Sequence, residues 1–244
     1  MGFSIAQYQA ATDKINVGMT TITNKMGEIP GAVEKAQSHW YVPGWLKDSL
    51  AWIGEKLWDL CVWFKDRVLD LLKGVLAPIM FFKYAWDWTG VRGGATGVQG
   101  ATDPAVLDIS RRWEGDANAD YLKVIPLQGK AAGRVGSISM QMSLALTTCA
   151  TAGLAFYVAL AIIVYQFISC ETAAIAALCS GILSWAGVVG AFTDAGVTAA
   201  MIWGAVGTLT AALGAQGAWM VSLKGEASDS STFPKGHWPD ATYD

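Results

Sequence analysis

Charge is scarce in this chain. Asp, Glu, Lys and Arg make up 15% of its 244 residues, where a soluble domain usually carries about 25%. The shortage is local. Between Gly136 and Leu223 the only formally charged side chains are Glu171 and Asp194. A bundle helix in water alternates apolar and charged faces, and this stretch has no charged face. Histidine is nearly missing: His39 sits in the aromatic turn SHWYVPG, His237 in the polar tail, and neither has a triad partner nearby. The cysteines, Cys61, Cys149, Cys170 and Cys179, form no CxxC pair. No metal-site spacing results, so no metal and no cofactor are expected. The net charge of −3 lacks the basic excess of a nucleic-acid binder. No P-loop or carboxylate cluster is present, so no catalytic residue is assigned, no small-molecule substrate is evident, and no enzyme is expected. Residues 1–25 lack the basic region and apolar core of a signal peptide, which places the N-terminal region in the cytoplasm.

What is abundant is apolar surface, at 53% of residues. A bilayer core needs about 20 apolar residues per helix. Three runs meet this length, 143–169, 172–193 and 195–223, separated by Glu171 and Asp194, which are expected in loops. Together they predict a transmembrane region over 143–223 and a multi-pass protein of the cell membrane. Lys123, Lys130 and Arg134 precede the first run and orient its N-terminal side to the cytoplasm. Ala186 and Gly190, Gly187 and Ala191, Gly207 and Ala211, and Gly214 and Ala218 are each four apart. Small residues at this interval let helix backbones approach closely. They serve either packing within the chain or homo-oligomerisation, and two spans rather than three remain an alternative. A Cys170–Cys179 disulfide requires their connecting turn to face an oxidising compartment.

The wetter N-terminal part divides further. In 1–40, Ile5, Tyr8, Ala11, Ile15, Met19 and Ile22 form one helical stripe, with Gly27 and Pro30 expected to end the helix. In 41–89, the segment after Pro43 and Gly44 mixes tryptophan, leucine and both signs of charge at helical spacing. Trp45, Trp52, Trp58, Trp63 and Phe64 are candidate membrane-interface residues; burial against neighbouring helices or against a partner subunit is the alternative. Residues 75–88 are apolar but short, and the glycine-rich 90–100 is expected to be a linker. Residues 224–244 form a polar tail. The fold class is therefore all-α: N-terminal amphipathic helices, a short helical hairpin over 101–136 and about three C-terminal transmembrane helices.

That hairpin rests on TDPAVLDISRRWEGDANADYLKVIPLQGKAAGRV. Thr102 or Asp103 caps a helix with Pro104 in its first turn, and Gly115 permits a reversal. Trp113, Gly115, Ala117 and Tyr121 follow W-x-G-x-A-x-x-x-Y. The stretch resembles the WXG superfamily of type VII secretion proteins. The resemblance implies a helical hairpin turning at Trp113 and Gly115, Tyr121 packed near the turn, and a helical partner. A first arm confined to the residues after Gly100 is short for the family, and Pro126 and Gly129 are expected to interrupt the second. The family's YxxxD/E export signal is not met, since Ile125 stands four residues after Tyr121. The expected function is a non-enzymatic membrane protein that self-assembles or pairs with a helical protein, as a type VII secretion-associated component. Alternatives are a pore-forming effector and a phage or plasmid membrane protein such as a holin or conjugation component.

Overall fold

The computed structural model describes residues 2–108, 112–179 and 185–240, without the side chains of 185–192, 194 and 195. Every regular element among the described residues is helical: α1 (Ile5–Ser38), α2 (Gly44–Leu72), α3 (Ala77–Ala101), α4 (Asp116–Cys179), α5 (Trp185–Ala227) and a 3-10 turn at Pro234–Gly236. The helices belong to two compact units. One comprises Ser4–Ala77 and Gly153–Thr210; the other comprises Met1–Phe3, Pro78–Ala152 and Ala211–Asp244.

In the first unit, Ser4 caps α1 by accepting from the Gln7 N–H at 3.4 Å. The predicted stripe is buried from Tyr8 through Ile22, while Ile5 remains 45% exposed. Helix α1 does not end at Gly27 or Pro30. Proline removes one helical hydrogen bond, but Ile29, Ala32 and Ala36 extend the buried stripe beyond it, and tertiary packing outweighs the local penalty. Helix α2 returns antiparallel to α1: Gln37 donates to the Lys47 carbonyl, and Gly54 lies so close to Val33 that it has no room for a side chain.

The C-terminal part of α4 completes this unit. Phe64 of α2 stacks on Phe167, with centroids 3.9 Å apart and planes 3° apart. Tyr157 donates to the Leu71 carbonyl at 3.0 Å and meets the Tyr8 ring edge-on. Tyr8 in turn donates to the Val75 carbonyl. Gly18 of α1 faces Val164. These pairs set α4 parallel to α1 and antiparallel to α2, with Ile15, Leu50, Leu160 and Val164 in the core.

In the second unit, α3 and the N-terminal part of α4 form an antiparallel hairpin. Gly129 faces Thr102, Gly133 faces Gln99, and Gly136 faces Thr96. Further along, Ser143 donates to the Ala85 carbonyl at 2.8 Å. The segment 90–100 is thus helix rather than linker. Glycines on α4 remove the side chains that would hold α3 away, and this close contact offsets the poor helix propensity of α3. Pro126 and Gly129 both lie inside α4.

Candidate membrane-inserting and assembly surface

Among the described residues, two helices are long and apolar enough to cross a membrane. The best window of α4 has a mean hydropathy of 2.0 and is 44% buried; that of α5, within Gly196–Ala227, reaches 1.5 and is only 11% buried. The difference is decisive for chemistry. Part of the apolar surface of α4 is covered by α1 and α2, leaving Val158, Ile162 and Tyr165 on its open side. On α5, Val197, Trp203, Trp219 and Val221 are all exposed.

The three expected runs do not form three separate helices. Glu171 is not in a loop; α4 continues through it to Cys179. Residues 172–179 finish α4, residues 185–193 begin α5, and 180–184 lie outside the described residues. Asp194 is likewise within α5. The connecting turn that a Cys170–Cys179 disulfide would require is absent, since α4 is helical throughout between them. Cys170 and Cys179 share one helix, where nine residues rise about 13.5 Å, beyond the roughly 7 Å limit for bridged Cα atoms.

The small-residue positions divide into two groups. Ala186, Gly187, Gly190 and Ala191 fall where side chains are outside the described residues. Gly207, Ala211, Gly214 and Ala218 are exposed on α5, and a methyl group added at Gly207 or Gly214 would meet nothing within 4 Å. The interval of three and four residues between them keeps them on one face.

The aromatic positions of α2 also divide. Trp45, Trp52, Trp58 and Trp63 are exposed, the first at 72%. Phe64 is not at an interface with solvent; it is fully buried against Phe167. Leu50, Ile53, Leu57, Cys61, Phe64 and Val68 form the inward stripe, so the apolar residues of α2 occupy two faces rather than one. Asp48, Glu55 and Asp59 are exposed between the tryptophans, and Asp66 just after them.

At the W-x-G motif, residues 102–108 form turns rather than a helix, and 109–111 lie outside the described residues. Gly115 adopts φ 110°, a left-handed conformation that a side chain would strain. Helix α4 begins at Asp116. The Trp113 and Tyr121 rings lie 5.9 Å apart, while Ala117 is exposed in the first turn of α4. The arms joined here are longer than the expected 101–136 hairpin: α3 precedes the connection and α4 follows it.

One buried pair was missed by sequence reasoning. Glu171 is 3% exposed, and Cys61 donates to its Oε1 at 3.3 Å. Its Oε2 meets no donor among the described residues. Burial, reinforced by the neighbouring carboxylate, pushes the Cys61 thiol well above its ordinary range. Cys61 is therefore a protonated donor rather than a nucleophile. The available signal was the position of Cys61 on the inward stripe of α2. A second contact, Arg67 over the Trp203 ring at 5.2 Å, also joins residues remote in sequence. Among the described residues, no group of three His, Cys, Asp or Glu could hold a metal ion.

No protein-family model, curated protein or solved structure gives a match to this chain.

Proposed function

We propose that this chain is a non-enzymatic integral membrane protein that enters the bilayer through α5 and the apolar length of α4 and assembles there by helix–helix contact. The carrying observation is α5, whose apolar window is only 11% buried. Exposed to water, such a surface exceeds what a soluble monomer ordinarily shows; in lipid it meets a matching solvent. The 32 residues from Gly196 to Ala227 extend about 48 Å, longer than the roughly 30 Å hydrocarbon layer, so the helix tilts or extends into the headgroups. Its face of Gly207, Ala211, Gly214 and Ala218 supports close pairing with a second α5.

Insertion of α4 has a different requirement. The covered part of its apolar surface faces α1 and α2, whose outer sides carry charge. These two helices must separate from α4, or keep it outside the lipid, so α5 is the element that inserts first.

The assay is alkaline carbonate extraction of membranes, followed by native mass measurement in mild detergent. The expected result is retention in the pellet and an oligomer. The double substitution Gly207→Leu and Gly214→Leu is expected to shift the oligomer to monomer without loss of helicity, because both positions open onto empty space. Release by carbonate, or a monomeric native chain, would overturn the proposal.

A type VII secretion setting is the second reading. It is supported by the W-x-G turn between two long antiparallel helices and by the Trp113–Tyr121 contact. Co-purification with a small helical hairpin protein of that system tests it, and absence of any such complex when the two are co-expressed counts against it.

A further inference from the structure

A groove of about 380 Å³ lies along the seam between α1 and α2. Its lining follows the same spacing on both helices, from Pro30 to Gln37 on α1 and from Ala51 to Trp58 on α2. These are the positions i, i+3, i+4 and i+7 that share a helix face. The floor is apolar, with Ile29 2% exposed and Gly54 buried. Trp58 contributes an aromatic wall that is 42% exposed.

The groove also carries charge of one sign. Glu34 comes from α1 and Glu55 from α2. Neither is in an ion pair among the described residues, although Glu28 and Asp59 on the same helices are paired with Lys25 and Lys56. Two carboxylates beside an apolar floor and a tryptophan form a surface that attracts cations carried on an apolar body. An anionic lipid headgroup is repelled by the same carboxylates.

We infer that this groove receives a basic amphipathic helix of a partner protein. The apolar ridge of that helix lies on Pro30, Val33 and Ala51, the accessible apolar residues of the lining. Lysine or arginine side chains on its flanks reach Glu34 and Glu55, with one cation able to lie over Trp58. The lining extends over seven residue steps, about 10 Å or two helical turns. A ridge set between two neighbouring helices matches helix-in-groove recognition. The site is built by α1 and α2 alone, so it does not depend on α5 entering a bilayer.

The test uses the full chain in mild detergent and two fluorescent amphipathic peptides, one of Leu and Lys and one of Leu and Glu, read by anisotropy. The Leu/Lys peptide is expected to bind, and to bind less as salt rises. The Leu/Glu peptide is expected not to bind. The double variant Glu34→Gln and Glu55→Gln removes two exposed pairs and should weaken binding by about three- to thirtyfold, with unchanged circular dichroism. Ala51→Trp fills the groove without altering charge and should also weaken binding. Equal binding of both peptides, or an unchanged affinity in either variant, would overturn the inference. Failure of carbonate retention would leave it standing, so the two proposals can be refuted separately.

Discussion

Replacing Glu171 with methionine is expected to stabilise the unit built from α1, α2 and the C-terminal part of α4. The carboxyl is 3% exposed, and one of its oxygens has no donor among the described residues. A buried polar group left in that state costs about 1–3 kcal/mol. Methionine has a similar unbranched shape and adapts to irregular gaps. The substitution also removes the Cys61 hydrogen bond, but a thiol is a weak donor, and this loss is no more than about 1 kcal/mol. The net gain lies between about 0 and 3 kcal/mol, centred on about 1–2 kcal/mol. For a chain of this size each kcal/mol moves the midpoint by about 2–4 °C, giving a rise centred on about 2–8 °C. Thermal melting followed by circular dichroism in mild detergent measures it. The companion change Cys61→Val leaves both carboxylate oxygens without a donor and is expected to lower the midpoint. The double variant then shows whether the two effects are coupled. A lower midpoint for Glu171→Met alone would refute the reasoning, because it would mean that the carboxyl contributes more than its burial costs.

Two further outcomes follow from the same unit. Phe64→Ala is expected to destabilise it by about 3–5 kcal/mol, whereas Trp52→Ala, at a side chain 55% exposed, is expected to remain within about 0.5 kcal/mol; similar losses in denaturant titrations would contradict the assignment of the two faces of α2. Cys61, which is fully buried with its thiol held protonated, is expected to resist maleimide at pH 8 until denaturant opens the unit. Labelling of Cys61 faster than the partly exposed Cys179 under native conditions would show that the bundle opens readily.

Periodicity made α2 legible, because its inward positions recur at helical spacing and its start is marked by Pro43. The same rule located the buried stripe of α1 but misjudged its end, since proline is a local signal and the contacts beyond it are not local. Glu171 was misread for a related reason. A single carboxyl within an apolar run suggests a loop, yet here it faces a thiol from a helix more than a hundred residues earlier, and no local pattern carries that pairing. The exposed small-residue face of α5 was visible as a spacing in the sequence. Its exposure was not, because that depends on which neighbours the fold provides. The long W-x-G hairpin was hidden by the glycines of α3, whose helical state depends on the facing glycines of α4.

Those glycines give α3 a conditional character. Gly90, Gly93, Gly94, Gly97 and Gly100 are all helical, yet none has a neighbour within 4 Å of where a side chain would be. Relative to alanine, each weakens the helix by about 1 kcal/mol, or about 5 kcal/mol in total. The segment therefore stores little order of its own and borrows it from α4. If α4 draws away from it, 90–100 loses the contacts that sustain its hydrogen bonds and becomes a tether. A single stretch of chain can thus serve as a splint while the hairpin is closed and as a slack cord once it opens.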